Sequence, residues 1–190
     1  MKFTIYYIGK ILYLFNLILK KIISNYLHNK YYKKLKYIGQ GVRFNGISNI
    51  HGLNFIELGD NVHIGNNAWI KGEGGLYIGD NTHISRNLVL YTINHQYNGE
   101  LLPYDNKSIK KKVIIDNNVW IGMNVIILPG THIEEGCIIG AGSVVSGKVE
   151  KLSIYGASLG KIIKLRDEEH YNRLNKNKQY GGINGNPIYN

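Results

Sequence analysis

The chain has 190 residues, of which 44% are hydrophobic, with 23 glycines and only 3 prolines. This length predicts one globular domain with a sizeable core and small appendages. Cys137 is the only cysteine, which excludes an intrachain disulfide and makes a reducing cytoplasm the expected compartment.

The formal net charge of +10 is concentrated at the N-terminus. The first 56 residues contain nine Lys or Arg residues and no Asp or Glu, whereas the other 14 basic residues nearly balance the 13 acidic ones. A localised positive field indicates an anionic partner, such as an acidic membrane face or a lipid-linked phosphate. No nucleic-acid-binding motif accompanies the charge, so no nucleic-acid partner is expected.

Residues 1–37 form a basic segment whose apolar spacing predicts an amphipathic helix. The apolar stripe consists of Ile8, Ile11, Leu12, Phe15, Ile18, Leu19, Ile22 and Tyr26. Lys10 and Asn16 interrupt the run, which is too short to span a bilayer, and no signal-peptide cleavage site follows it. Two interpretations remain open: the helix packs on its own protein or a neighbouring subunit, or it lies on the inner membrane surface.

From residue 38 onward a branched or aromatic residue returns every six residues in groups of three. The first column is Ile38, Phe44, Ile50, Leu58, Ile64, Ile70, Ile78, Ile84, Leu90, Ile115, Ile121, Ile127, Ile133, Ile139 and Val145. A second column, two residues earlier, is aliphatic or small, and glycine often follows the first, where it is expected to allow a sharp turn of the backbone. This period predicts an all-β solenoid over residues 38–150, a parallel β-helix of about five triangular turns.

Extra residues leave this coil at one corner only. The step lengthens from six to eight after Ile50 and after Ile70, and to twenty-five after Leu90. The inserted segments are therefore expected to stack at one edge, and the longest, residues 92–112, is expected to be a functional loop. This rule places Lys71 and Glu73 one turn below His95, as candidates for contacts with an acceptor.

Three stretches give the chain a resemblance to the hexapeptide-repeat acyltransferases, in the branch of the maltose and galactoside O-acetyltransferases and the capsule and lipopolysaccharide O-acetyltransferases. They are residues 76–81 (LYIGDN), residues 92–95 (TINH), and residues 119–130 with 139–144 (VWIGMNVIILPG and IGAGSV). The resemblance covers roughly residues 38–166. It implies a left-handed coil, a homotrimer with active sites between subunits, and acetyl-CoA as co-substrate.

The resemblance also implies an activity, namely transfer of acetyl from acetyl-CoA to a sugar hydroxyl of a surface polysaccharide or its precursor. Such an acceptor needs a general base with a pKa near 7, and His95 matches the family's catalytic histidine. Asn94 beside it is a candidate for orienting the loop or the acceptor. The coil arm near Lys71 is about one hexapeptide shorter than in the galactoside enzymes, so the acceptor itself is not identified.

The family's cofactor positions carry over to six residues of this chain. Trp120 and Met123 match residues that line the coenzyme A groove, and Ala141 and Ser146 match residues that contact pantetheine. Lys148 and Lys161 stand where the family places cations near the nucleotide phosphates, although residues 156–161 (GASLGK) lack the family's proline.

Three alternatives stay open. N-acetylation of an amino-sugar nucleotide would use the same coil and base. A zinc enzyme of the γ-carbonic anhydrase type could use His63 and His83, which share an outward column, but Trp120 occupies the third position and no metal is expected. A non-catalytic scaffold would need neither His95 nor Trp120. Residues 151–190 are predicted to form a C-terminal extension with a short helix and a flexible tail.

Overall fold

A computed structural model of the protein describes residues 2–96, 106–156 and 168–177. Residues 1–157 form one compact unit, which contains a long helix and a parallel β-coil. Residues 158–190 form a second unit, whose described part is the helix α2, Glu168–Lys176. No helix among the described residues is long and apolar enough to cross a membrane.

The N-terminal helix α1, Lys2–Lys34, is longer than the predicted stripe. Only its last part packs on the coil, through the buried Tyr31 and the partly buried Leu27. The predicted stripe is exposed along its whole length, and Tyr13, Leu14 and Leu17 are exposed beside it. The polar face of α1 is therefore narrower than the polar face that the sequence predicted.

Three parallel sheets form the faces of the coil. Sheet A contains β1 (Tyr37–Ile38), β4 (Ile56–Leu58), β7 (Leu76–Ile78), β12 (Val113–Ile115), β15 (His132–Ile133) and β18 (Lys148–Val149). Sheet B contains β2 (Arg43–Phe44), β5 (His63–Ile64), β8 (His83–Ile84), β13 (Trp120–Ile121), β16 (Ile138–Ile139) and β19 (Ile154–Tyr155). Sheet C contains β3 (Asn49–His51), β6 (Trp69–Lys71), β9 (Val89–Tyr91), β14 (Ile126–Ile127) and β17 (Val144–Val145).

The coil has five complete turns and an incomplete sixth, so the prediction of about five turns was slightly low. The sixth turn consists of β18 and β19, which pair in register with β15 and β16. The step from Val145 to Val149 is only four residues, and this short step breaks the six-residue period that the sequence count followed.

Both predicted columns point into the coil. Fourteen of the fifteen first-column residues are buried, and Ile38 at the end of the coil is half-buried. The second column is buried as well, including Cys137, which is a small core residue as expected. Its polar members bond to backbone carbonyls: the Thr82 hydroxyl donates to Asp116 O (3.0 Å) and the Ser143 hydroxyl to Gly140 O (2.7 Å), which offsets the cost of burying them.

Glycine has a different role at the corners from the one predicted. Gly59 and Gly79 do not have a positive φ; a methyl group on either would overlap the Asp80 or Asn117 side chain of the next turn. Those side-chain oxygens accept hydrogen bonds from backbone N–H groups of the turn below, such as Asp80 N–H to Asn117 Oδ1 at 2.8 Å. Glycine is required because successive turns approach closely at this point.

Asparagine supplies many of the left-handed turns. Six corner residues with φ between 52° and 62° are asparagines: Asn61, Asn67, Asn81, Asn87, Asn118 and Asn124. They form two side-chain ladders, in one of which Asn61 Nδ2 donates to Asn81 Oδ1 (3.0 Å) and Asn81 Nδ2 to Asn118 Oδ1 (3.3 Å). Asparagine fits here because it tolerates the left-handed region and its amide both donates and accepts.

Substitution of Asn81 separates these two contributions. We expect Asn81→Gly to lower the free energy of unfolding by about 1–2 kcal/mol through loss of the ladder bonds. Asn81→Ala should cost about 1–2 kcal/mol more, because alanine must also adopt a positive φ. Urea unfolding of both variants measures the difference, and equal losses would show that the left-handed turn is not a constraint.

Candidate active site

The long loop leaves the coil as an antiparallel hairpin. Its arms are β10 (Ile93–His95) and β11 (Ser108–Lys110), with Ile93 opposite Lys110 and His95 opposite Ser108. The tip, residues 97–105, lies outside the described residues. The hairpin therefore holds His95 on a regular backbone that projects from the corner between sheets C and A.

Thr92 anchors the hairpin to the coil. It is fully buried, and its backbone N–H donates to Lys71 O (2.9 Å). Its hydroxyl donates to the same carbonyl and accepts the N–H of Gly74, both at 2.8 Å. Lys111 N–H returns to Thr92 O (2.8 Å) at the end of the second arm. The corner loop of the turn below thus sets the position of the hairpin base.

His95 and Asn94 are both exposed at the start of the hairpin. Asn94 Oδ1 accepts the backbone N–H of His95 at 2.9 Å, which fixes the main chain locally. An exposed imidazole on a regular strand can approach a bound substrate without unfolding its support. The geometry is therefore compatible with general-base chemistry at His95.

A column of outward-facing residues on sheet C runs along this corner, and we call it the corner column. Lys71 pairs with Tyr91, and the parallel register continues through Leu128 to Ser146. The structure thus aligns Lys71 and Ser146, which the sequence proposed for different ligands, along one outward line beside the hairpin. The sequence analysis did not identify Tyr91 and Leu128. Each is a large residue that directly follows an inward-facing position of sheet C, and this pattern was the available signal in the sequence.

Glu73 lies in the corner loop between Lys71 and the first strand of the next turn. Its Oε2 atom is buried and has no hydrogen-bond partner within the described chain. A buried carboxylate oxygen without a donor is costly, so a donor supplied by a ligand hydroxyl would be favourable there.

Trp120, Met123 and Ala141 form a second group at the opposite edge of sheet C. Trp120 on sheet B is 57% exposed and Met123 is 43% exposed. Gly142 N–H donates to Met123 O (2.9 Å), so Ala141 lies directly over the Met123 corner. The width of sheet C separates this group from Ser146 and the hairpin. The predicted cofactor residues therefore occupy two edges of the same face.

The structure describes one of the two lysines that were predicted to contact the nucleotide phosphates. Lys148 Nζ pairs with Glu134 (2.9 Å) and Glu150 (3.0 Å), and these hydrogen bonds raise the pKa of Lys148. Binding a phosphate would require exchange of these carboxylates, which are weak partners at a surface. Lys161 lies outside the described residues.

His63 and His83 share the outward column of sheet B with Arg43 and Trp120, as the sequence spacing predicted. Their rings stack with centroids 4.0 Å apart and planes 12° apart. Imidazole lone pairs lie in the ring plane, so stacked rings do not aim at one ion. No group of three or more possible metal ligands occurs among the described residues.

The repeats of this chain match two family models. Residues 112–147 match the model described as bacterial transferase hexapeptide (six repeats). Residues 56–92 match the hexapeptide repeat of succinyl-transferase.

Two sequence relatives illustrate the similarity. A Staphylococcus aureus (strain MRSA252) protein, provisionally named an acetyltransferase, is 37% identical over 116 residues, which cover 60% of this chain and 57% of the relative. An Escherichia coli (strain K12) protein, provisionally named a lipopolysaccharide biosynthesis O-acetyltransferase, is 38% identical over 69 residues, 36% of this chain and 35% of the relative. The matches thus span little more than half of the first relative and about a third of the second.

Solved structures share the fold. A maltose O-acetyltransferase from Clostridium difficile 630 has a TM-score of 0.61 at 25% identity and covers 74% of this chain and 75% of its own. An N-acyltransferase from Bacillus cereus, in complex with dTDP and 3-hydroxybutyryl-CoA, has a TM-score of 0.57 at 22% identity and covers 80% of this chain and 94% of its own.

The parallel coil and the two repeat matches establish a β-helix that is built from hexapeptide repeats. The predicted resemblance to the hexapeptide-repeat acyltransferases is confirmed, and so is the predicted β-helix.

The stacked histidines predict a pH-dependent stability. Burial, the neighbouring His83 and the Arg43 charge all lower the pKa of His63 below its ordinary value of 6.5. The unfolded chain therefore binds more protons near pH 6, so stability is lost as the pH falls below about 6.5.

We expect the thermal midpoint to fall more steeply between about pH 7.5 and about pH 5.5 for the wild type than for His63→Gln. Glu57, Glu134 and Glu135, whose pKa values are lowered from 4.5, act only at lower pH. The exposed His95→Ala variant is the matched control and should keep the wild-type slope. Identical slopes for wild type and His63→Gln would contradict the assignment.

Proposed function

We propose that this protein is an acetyltransferase that moves acetyl from acetyl-CoA to a sugar hydroxyl, with His95 as the general base. The observation that carries the proposal is the anchored hairpin, which holds an exposed His95 beside the corner column. The named activities of the relatives and of the C. difficile maltose O-acetyltransferase support the acetyl donor and a hydroxyl acceptor.

The chemistry follows from the weak nucleophilicity of a hydroxyl at neutral pH. His95 takes the acceptor proton while the acceptor oxygen attacks the thioester carbonyl. Collapse of the tetrahedral intermediate forms the ester and expels the coenzyme A thiolate, which recovers a proton from the imidazolium.

The two edges of sheet C support an active site between subunits. Trp120, Met123 and Ala141 lie at one edge, whereas Ser146 and His95 lie at the other. If neighbouring coils stand side by side in a homotrimer, opposite edges of adjacent chains face one groove. Acetyl-CoA bound there contacts both groups at once, and it packs against the exposed indole of Trp120.

The acceptor site is proposed around Lys71, Glu73 and Asn94. Lys71 and Tyr91 occupy adjacent turns of the corner column, and a sugar ring can pack on the Tyr91 ring while its hydroxyls contact Lys71 and Glu73. A carbohydrate of a surface polysaccharide or its precursor fits these polar groups. Lys148 and Lys161 are proposed for the nucleotide phosphates.

The second candidate function is N-acylation of an amino-sugar nucleotide, which the fold shared with the B. cereus N-acyltransferase favours. An amine of lowered pKa needs less help from His95 than a hydroxyl does. The two functions therefore differ in their dependence on the base.

Replacement of His95 tests the mechanism. We expect His95→Ala to lower kcat for a hydroxyl acceptor by at least about a hundredfold, with little change in KM for acetyl-CoA. Thiol release with a panel of sugars, oligosaccharides and amino-sugar nucleotides is the measurement. His132→Ala, a histidine on sheet A that pairs with Asp116, is the matched control and should remain active.

Three other outcomes are informative. An unimpaired His95→Ala variant would refute the base assignment, and a much smaller loss with amine acceptors than with hydroxyls would favour N-acylation. Failure to bind or consume acetyl-CoA would favour the alternative that the protein is a non-catalytic scaffold.

Mixed oligomers test whether the site lies between subunits. We expect co-expressed His95→Ala and Trp120→Ala chains, each weakly active alone, to recover about a quarter of wild-type activity. The recovery arises because a quarter of the interfaces then pair an intact His95 with an intact Trp120 from another chain. No recovery would place both residues in sites within one chain.

A further inference from the structure

The last turns of α1 are fixed on the first turn of the coil. The buried Tyr31 donates its hydroxyl hydrogen to Ser48 O, and His28 Nε2 lies 3.0 Å from Gly46 O. A helix turns by about 100° per residue, which places Lys34 and His28 on opposite flanks of Tyr31. These contacts therefore hold the Lys34 flank of the helix against a different part of the coil from the His28 flank.

A pocket opens on the Lys34 flank, where the corner loop of the first turn faces α1. Lys30 and Lys34 line it from the helix, and His51, Gly52 and Asn54 line it from the coil. Its volume is about 470 Å³, within the range of about 300–1,000 Å³ in which ligand pockets fall. The pocket is thus large enough for a phosphate or diphosphate with part of the group that carries it.

The charge of this pocket is positive and unbalanced. Lys30 and Lys34 are one helical turn apart, and like charges at this spacing destabilise a helix. No carboxylate of the described residues lines the pocket, and the ion pairs found there use other cations, namely Lys36, His132, Lys148 and Lys151. An anion between the two ammonium groups relieves their repulsion. A phosphate suits the set, because lysines bind its oxygens as point charges and the Asn54 amide can donate a further hydrogen bond.

The pocket lies at the foot of the corner column. His51 pairs in register with Lys71, as Lys71 does with Tyr91. The backbone joins the same levels, because Gly72 N–H donates to His51 O (3.1 Å) and Thr92 N–H donates to Lys71 O (2.9 Å). One outward surface therefore runs from the pocket through Lys71 to the base of the hairpin.

Glu73 and the hairpin lie over the same corner. A methyl group on Gly52 would meet Glu73 N at 2.6 Å, so Glu73 is stacked directly on the loop that lines the pocket. Lys110 Nζ, on the second arm of the hairpin, lies 5.8 Å from the centre of the Phe55 ring in that loop. The hairpin that carries His95 is thus within side-chain reach of the pocket loop.

The span between the pocket and the hairpin sets the length of a ligand that uses both. His51 and Tyr91 are two strand spacings apart, roughly 10 Å, and His95 follows in the hairpin. A hexose ring with a phosphate or diphosphate on its anomeric carbon extends over such a distance. The polar groups occur in a matching order, with the lysines at the foot, the Glu73 carboxylate above them as an acceptor for hydroxyls, and the imidazole beyond.

We propose that the acetyl acceptor is a sugar that carries a phosphate ester, and that Lys30 and Lys34 bind this phosphate while a sugar hydroxyl lies at His95. This inference rests on the proposed acetyl transfer and names the class of its acceptor. It also gives α1 a part in the acceptor site, because the helix supplies both cations.

The pocket is separate from the proposed coenzyme A site. Ser146 and Lys148 belong to the fifth and sixth turns of the coil, at least four strand spacings from His51, roughly 20 Å. Nucleotide phosphates of coenzyme A that are held by Lys148 therefore do not reach Lys30 and Lys34. Donor and acceptor bring their phosphates to opposite ends of the coil.

Calorimetry of the full chain tests the pocket without any need for turnover. We expect inorganic diphosphate to bind the wild type, and Lys30→Gln/Lys34→Gln to weaken this binding at least about tenfold. The variant should keep its fold, because glutamine is a good helix former and the substitution removes a like-charge pair. Absence of diphosphate binding to the wild type would refute the pocket whatever the enzyme acetylates.

Thiol-release kinetics test the acceptor. For sugar nucleotides and sugar 1-phosphates, Lys30→Gln/Lys34→Gln should raise KM at least about tenfold and leave kcat and the KM for acetyl-CoA unchanged, because the lysines contact a group remote from the reacting atoms. The KM for the corresponding free sugars should not change. Preference for a prenyl diphosphate sugar over sugar nucleotides would identify a lipid carrier as the source of the phosphate, and the reverse preference a nucleotide.

The matched control is Lys10→Gln/Lys33→Gln, which removes the same charge from α1. Lys33 lies roughly opposite Tyr31, and neither of these lysines lines the pocket. The control should keep the wild-type diphosphate affinity and acceptor KM within about twofold. Equal losses in the two double variants would mean general attraction of anions by α1 and would overturn the proposal.

Further outcomes separate this proposal from the proposed function. A wild type that prefers free sugars to their phosphates, or a pocket variant that loses equally with both, would overturn the phosphate assignment and leave acetyl transfer by His95 intact. Acetylation of no acceptor would refute the proposed function and with it the acceptor, whereas diphosphate binding that depends on Lys30 and Lys34 would still establish the anion site.

Discussion

The backbone hydrogen bonds that join each turn of the coil to the next position everything else in this protein. Every strand is only two or three residues long, so no strand is stable alone and each depends on its neighbours above and below. The corners make this stacking possible. Asparagines in the left-handed conformation turn the chain from one face to the next, and glycines such as Gly59 and Gly79 let the next turn approach closely enough for its side chain to bond to the backbone below.

The same stacking makes a surface on which chemistry can be arranged. A residue that faces outward on one turn has a partner of the same orientation on the next, so the spacing of the turns aligns the corner column from Lys71 to Ser146. Extra residues can leave only at a corner, and buried Thr92 ties the one long insertion to the turn below. His95 is therefore placed by the rigid coil although it stands on a loop.

The distribution of charge divides the compact unit into two regions. The coil is nearly neutral overall, with local pairs such as Lys151 with Glu135, whereas α1 and the adjacent corner carry unbalanced positive charge.

The sequence by itself determined the fold, the core and the place of the insertion, because branched side chains that recur every six residues can all face inward only in a coil. Cys137 was also assigned correctly to the interior. The left-handed sense came from the resemblance, since the period is the same for either hand.

Only the tertiary structure decided the features that depend on distances between turns. Backbone pairing revealed the sixth turn where four residues replace six between Val145 and Val149. The close approach that requires glycine at the corners comes from a turn 20 or more residues away and has no local signal. Likewise, the docking of Tyr31 and His28 on the coil, and not the helix pattern, turned the apolar stripe outward. Sequence periodicity specifies which residues share a face, but long-range contacts decide what each face meets.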